Sequence, residues 1–232
     1  MYLLFIQNEK RKNMTTLLHI DTSARGIDND VQEYNSISKR LAAHFMDKWM
    51  TSNLEDKVIY RDIGLNPPPY IDQDWIAAVF TPAEKQTDEQ RSLLTLSDTL
   101  IAEVDQADII VISCPMYNYG MPAVLKSWFD HIVRIGKTFT FDLARGDFPI
   151  EPMMSGKKLI LITSSGEFGF EIGGIREKMN HLGPHVKTAS NYLGVEEFYE
   201  IKSEYQEFAD ERHQKSLEDA YNSIDKFVMK LS

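Results

Sequence analysis

The segment Asp108–Cys114, DIIVISC, constrains this chain more than any other. Its apolar residues run on without alternation, so neither face of the strand they form can be left to water. A strand covered on both faces belongs inside a parallel sheet with helices packed above and below. Lys158–Thr163 (KLILIT) is a second such run, and Thr16–Asp21 (TLLHID) is a third that ends in a turn signal. Lys57–Asp62 (KVIYRD) and Tyr192–Ile201 read as two further strands. Ser36–Trp49 has helical spacing, with Ile37, Leu41, Phe45 and Trp49 near one face and Ser36 as N-cap. Thr81–Asp105 reads as one long helix with Pro82 at its first position, and Met121–Ile135 as another with Pro122 in its first turn. Ile175–Leu182 is a short helix candidate and Gln206–Leu231 a closing helix. Asn66–Tyr70 (NPPPY) is neither element, because its prolines fix φ and remove donors. Strand and helix thus alternate along the chain, which is the pattern of an α/β domain.

At 232 residues the chain is expected to form one large domain, since domains average roughly 150 residues. That domain is read over residues 14–232. Residues 1–13 (MYLLFIQNEKRKN) read as a loose N-terminal extension: the apolar run comes first and the charges follow, the reverse of a signal peptide. Met14, just before the first strand, is a second candidate start. No stretch approaches the roughly 20 apolar residues of a membrane helix. A hydrophobic fraction of 43% with 26% charged residues excludes intrinsic disorder. A formal net charge of −10 argues against nucleic acid and anionic lipid as partners, since both need a basic face. The single Cys excludes an intramolecular disulfide and a Cys-only zinc or iron–sulfur site, and fits a reducing, cytoplasmic setting.

In open α/β sheets, ligands bind beyond the carboxyl ends of the strands. After the first strand come Thr22-Ser23-Ala24-Arg25-Gly26 and then Ser36-Ile37-Ser38 at a helix start. After the second come only Gly64 and prolines, and after the Asp108–Cys114 strand comes Pro115-Met116-Tyr117-Asn118-Tyr119-Gly120. After the Lys158–Thr163 strand comes Ser164-Ser165-Gly166-Glu167-Phe168-Gly169. A helix N-terminus with hydroxyls can hold a phosphate without a basic side chain, and Ser23, Ser36 and Ser38 would add donors. Taken alone, Ser36 is better explained as an ordinary cap, since Ser is common there. The Met-Tyr-Asn-Tyr loop suits a flat heteroaromatic ring, or alternatively a surface turn whose rings cover core.

Other chemistry lacks its residues. There is no G-x-G-x-x-G, no G-x-x-x-x-G-K-[ST], no G-x-S-x-G and no H-E-x-x-H. His181 and His185 are four apart, but Gly183-Pro184 lies between them, so they read as loop histidines and no metal site is expected. His19, His131 and Cys114 read as packed residues rather than catalytic ones.

Cys114–Phe141 (CPMYNYGMPAVLKSWFDHIVRIGKTFTF) resembles the corresponding segment of the FMN-dependent NADH-azoreductases, also called FMN-dependent NADH:quinone oxidoreductases. The resemblance rests on P-M-Y-N at Pro115–Asn118, L-K-x-x-F-D at Leu125–Asp130 and G-x-T-F at Gly136–Phe139. Leu17–Gly26, Ser36–Trp49 and Gly156–Gly166 resemble the family's first strand with its phosphate loop, its first helix, and its fourth strand with the loop that follows. The likeness runs from about Thr15 to the C-terminus.

The resemblance implies a flavodoxin-like three-layer sandwich with a five-stranded parallel sheet of order 2-1-3-4-5, a homodimer, and FMN bound non-covalently. Ser23, Ser36, Ile37 and Ser38 would hold the phosphate. Pro115, Met116, Tyr117, Asn118 and Tyr119 would hold the isoalloxazine, and Ser164, Ser165 and Gly166 would close on its pyrimidine side. FMN would carry the chemistry, with no catalytic side chain required. NADH or NADPH would reduce it, and quinones or azo compounds would then take two electrons at the same face, a ping-pong scheme. Phe139, Phe141, Phe168 and Tyr192 are candidate walls of that slot, and each is equally well read as an ordinary core aromatic. Val124, Trp128 and Ile132 are a candidate dimer surface. The chain departs from the family in the acidic loop Gly26–Asn35, which carries Asp28, Asp30 and Glu33, and in S-S-G-E at Ser164–Glu167, where many members have an Arg and a second Gly. Glu167 is expected to point away from the flavin. The rival readings are an FMN-binding electron carrier without reductase activity, and a flavodoxin-like partner-binding module that has lost FMN.

Overall fold

The structure, a computed structural model, describes residues 14–231, and the extension read over residues 1–13 lies outside them. Among the described residues seven strands form: β1 (Thr16–Asp21), β2 (Lys57–Asp62), β3 (Ile109–Pro115), β4 (Phe139–Phe141), β5 (Ile150–Pro152), β6 (Lys157–Ser164) and β7 (Val195–Ser203). Five of them make one parallel sheet in the order β2-β1-β3-β6-β7. The antiparallel pair β4–β5 is a separate hairpin inserted ahead of β6. With the hairpin set aside, the order is the 2-1-3-4-5 expected from the sequence.

The helices are α1 (Ile37–Ser52), α2 (Gln73–Phe80), α3 (Asp88–Gln106), α4 (Ala123–Ile132), α5 (Gly183–Ser190) and α6 (Glu211–Leu231). On one face of the sheet, Leu17, Val111 and Ile160 pack against Leu41, Phe45 and Trp49 of α1 and Ile224 of α6. On the other, Ile20, Ile110 and Leu159 pack against α3, α4 and α5 through Leu100, Trp128 and Val186. All seven residues of β3 are buried, as its unbroken apolar run requires. Each fully buried Leu, Ile or Phe contributes about 1.5–3 kcal/mol relative to exposure. Among the described residues no helix is long and apolar enough to cross a membrane.

Several boundaries differ from the sequence reading, mostly at prolines and glycines. The helix expected over Thr81–Asp105 is two helices. Thr81 is held extended (φ −82°, ψ 125°) ahead of Pro82, which closes α2, and α3 restarts behind Thr87 with a reciprocal Thr87–Gln90 capping box. The helix expected over Met121–Ile135 shrinks to α4, because Pro122 caps it instead of entering it. Trp128 and Ile132 of α4 are buried in the core, so they cannot form the dimer surface read from the sequence. Ile175–Leu182 holds only a 3-10 turn at Glu177–Met179. Gly183-Pro184 opens α5 rather than breaking a helix, since a missing N–H in the first turn loses no bond. His185 therefore lies on a helix, and His181 precedes it. The last strand begins at Val195 instead of Tyr192, and α6 begins at Glu211 instead of Gln206.

Candidate functional site

β1 is flanked by β2 and β3, so the direction of winding reverses between β1 and β3 and leaves a crevice at their carboxyl ends. Backbone bonds stitch the loops around that rim. Thr22 N–H and Oγ1–H both donate to Ser113 O (3.1 and 2.8 Å), and Met116 N–H donates to Ser164 O (2.8 Å). Ser165 N–H donates to Ser203 O (2.9 Å).

At one end of the crevice is the tip of α1. Ser36 Oγ accepts from Lys39 N–H (3.3 Å) and lies 3.3 Å from Ser38 Oγ. Ser36 N–H donates to Gly26 O (2.8 Å), and Ser23 Oγ accepts from Arg25 N–H (3.2 Å). The structure thus brings Ser36, Ile37 and Ser38 together with the loop that carries Ser23. The N–H groups of Ile37 and Ser38 have no carbonyl to meet within the helix. No acidic side chain occupies the first turn of α1. This donor set fits a phosphate.

Beneath the tip is a polar layer that the sequence reading missed. Lys39 Nζ, almost wholly buried, pairs with Asp62 Oδ2 at 2.6 Å. Asp21 accepts from Tyr60 Oη–H (2.8 Å) and Ser113 Oγ–H (2.6 Å), and bonds His19 Nε2 at 3.1 Å. Burial pushes the Asp21 carboxyl up, but the hydrogen bonds from His19, Ser113 and Tyr60 outweigh it and hold it below the usual value. Gly64 closes the layer: a Cβ there would stand 1.9 Å from Ser23 O.

The other end presents a flat, aromatic wall. Tyr117 and Gly120 exchange two backbone bonds of 3.0 Å, enclosing Asn118 and Tyr119 at φ +49° and +66°. Left-handed backbone at both central positions defines a tight primed turn, tolerated by Asn and strained for Tyr. Tyr119 O accepts from His181 N–H (3.0 Å), and the rings of Tyr119 and Phe170 are 6.3 Å apart. Pro115 is buried at the end of β3, and Met116 packs on the core beside it. Ser164 and Ser165 are buried, and Gly166 lies against the Glu207 side chain, which a Cβ would meet at 2.4 Å. The loop after β7, not singled out in the sequence, forms this flank: Gln206 N–H donates to Ser165 O and Glu207 N–H to Gly166 O, both at 3.1 Å. A cavity of about 670 Å³ lies under these loops, lined by Met116, Ser165, Phe170, Pro184 and Glu200 among others.

The four expected slot walls separate. Phe168 is at the rim, stacked on Tyr205 at 4.3 Å. Phe139 and Phe141 are on the β4–β5 hairpin, and the Phe139 ring lies 5.7 Å from Tyr192, in the turn just before β7. That turn is at the amino end of the sheet, and a strand of eight residues such as β6 spans about 26 Å, so Tyr192 and Phe139 sit at the opposite end from the rim. Glu167 points to Arg176, whose Nε donates to its Oε1 at 3.0 Å while Nη2 lies 2.9 Å from the same oxygen, completing the ion pair. Nothing in the local sequence pattern announces that pairing, because the partners are nine residues apart on an irregular loop. His131 Nε2 bonds Pro69 O (2.8 Å), a packing role that anchors the proline loop.

A profile of the flavodoxin-like fold matches residues 15–228. The chain is 81% identical over 218 residues to FMN-dependent NADH:quinone oxidoreductase 2 of Colwellia psychrerythraea, covering 94% of this chain and 100% of that protein. It is 58% identical over 219 residues to the protein of the same name from Idiomarina loihiensis, covering 94% and 91%. Among solved structures, an FMN-dependent NADH-azoreductase from Bacillus anthracis in complex with FMN superposes with a TM-score of 0.80 at 18% identity, covering 94% of this chain and 99% of that one. At that identity, what is shared is the fold. The sequence relatives carry the assignment further: this chain belongs to the FMN-dependent NADH:quinone oxidoreductase family of the flavodoxin-like fold.

Proposed function

We propose that this protein binds FMN without a covalent link and uses it to carry two electrons from NADH or NADPH to quinones and azo compounds. The observation that carries the reading is the α1 tip, with Ser36 and Ser38 beside two unbonded N–H groups, facing a rim whose other end is the Tyr117–Gly120 turn. Bound FMN would supply the redox chemistry, taking hydride from the pyridine nucleotide and releasing two electrons to the acceptor.

The chain's own residues bind and orient. Ser23, Ser36, Ile37 and Ser38 hold the phosphate by hydroxyls and the helix tip. Met116, Tyr117, Asn118 and Tyr119 flank the ring, Pro115 sets the loop's exit from β3, and Ser164, Ser165 and Gly166 close its pyrimidine side. Donor and acceptor use one face in turn, so double-reciprocal plots of rate against NADH at several quinone concentrations should be parallel.

The same proposal includes a homodimer. Phe139 and Tyr192 lie at the far end of the sheet from the rim of their own chain, and Phe141, Leu143 and Phe148 are exposed on the hairpin. They would be presented to the flavin of a second copy. A cytoplasmic setting rests on the single, buried cysteine.

The deciding experiment is a spectrum of the purified protein before and after anaerobic NADH. Bleaching of a flavin band, restored by benzoquinone, supports the enzyme. A flavin band that NADH does not bleach makes it an electron carrier, and a colourless protein that refuses added FMN makes it a binding module. Sedimentation at micromolar concentration tests the dimer.

A further inference from the structure

Glu167 follows directly on Ser164–Gly166, where the functional reading places the pyrimidine edge of the flavin. A carboxylate beside that edge would oppose the negative charge that reduction brings to the ring. The fold supplies a dedicated counter-charge. Besides its hydrogen bond and ion pair with Glu167 Oε1, Arg176 donates from Nη1 to Phe168 O (3.1 Å) and from its backbone N–H to Gly169 O (2.8 Å). Its guanidinium lies 4.8 Å above the Phe168 ring. Phe168 stacks on Tyr205, whose N–H donates to Glu167 O (3.2 Å). The pair is thus fixed from both flanking loops, with about a fifth of the Arg176 side chain and a third of the Glu167 side chain exposed. The Tyr119 phenol faces the same carboxylate, whose hydrogen bond and charge raise it above its ordinary value.

We infer that Arg176 is a positioning residue that neutralises Glu167 and holds it off the ring, so that the rim can accept a reduced, negatively charged flavin. The inference rests on the functional reading above, and it concerns the ease of reduction, not binding of the phosphate.

The test is an anaerobic redox titration of FMN-loaded wild type, Arg176→Ala, Glu167→Gln and the double variant. Arg176→Ala should shift the reduction equilibrium about tenfold toward the oxidised form, which is about 30 mV downward for a two-electron couple. Glu167→Gln should shift it upward, and the double variant should return to within about threefold of wild type. An Arg176→Ala potential equal to wild type overturns the inference. So does a double variant that stays as low as Arg176→Ala, since Arg176 would then only be holding the loop. If Arg176→Ala fails to fold or load, Glu167→Gln alone decides, and the absence of an upward shift overturns the inference. A wild-type protein that takes up no FMN fails differently: the functional reading falls first and this inference with it.

Discussion

At the α1 tip, Ser23, Ser36 and Ser38 are at most 3% exposed and rest on the pair between buried Lys39 and half-buried Asp62. At the other end of the same crevice, Tyr117 and Tyr119 are each 39% exposed on a turn with two left-handed residues. The first end is built into the core, the second stands out from it. The difference matches the two tasks the cofactor would set. A phosphate has the same charge in every state, so its binder can be rigid and deep. A ring that gains and loses charge, and must admit one reactant after another, needs an open wall whose charges are balanced locally.

The comparison breaks most severely at the deep end. Asp62→Ala leaves Lys39 buried without a partner, and removing one member of such a pair costs about 3–5 kcal/mol, to be read from urea denaturation. If the loss is under about 1 kcal/mol, the tip is not anchored as described. Gly64→Ala forces the Ser23 backbone to move, with an expected loss of about 1–3 kcal/mol and weaker FMN retention. Ser38→Ala should weaken FMN by about tenfold, the scale of one hydrogen bond to a charged group, while leaving riboflavin binding unchanged. Equal losses for both ligands in calorimetry would mean that the tip is not reading the phosphate. At the open end, Tyr119→Gly relieves left-handed strain and should gain up to about 1 kcal/mol in thermal stability while raising the KM for NADH. The last effect is absent at neutral pH. Asp21 titrates below its unfolded value, so its contribution is complete above about pH 4 and is lost as the pH falls through its folded pKa. Acid should therefore loosen the deep end, and the acid limb of an unfolding-versus-pH profile should flatten in Asp21→Asn.

The sheet was legible because β3 and β6 are buried on both faces, and that burial is written directly into unbroken apolar runs. The strand order then followed from family resemblance and matches the observed sheet. Helix edges were less legible, since Pro82 and Pro122 can stand just outside a helix as readily as in its first turn. The β4–β5 hairpin escaped notice because three-residue strands carry too few alternations to register. The rim loops were found because a loop after a strand has a place in the fold once the strands are known. The charged supports were not, because Lys39–Asp62 and Asp21–Ser113 join residues 23 and 92 positions apart. Trp128 and Ile132 show the reverse error: an apolar helix stripe looks the same whether its own sheet or a second chain covers it.

Cys114, the penultimate residue of β3, is fully buried, and desolvation pushes its thiol up to about 12. Quinones are electrophiles that alkylate thiolates, and the thiolate is the reactive form. A protein that turns over such compounds thereby keeps its one sulfhydryl protonated and out of reach, so it offers them no thiolate to alkylate.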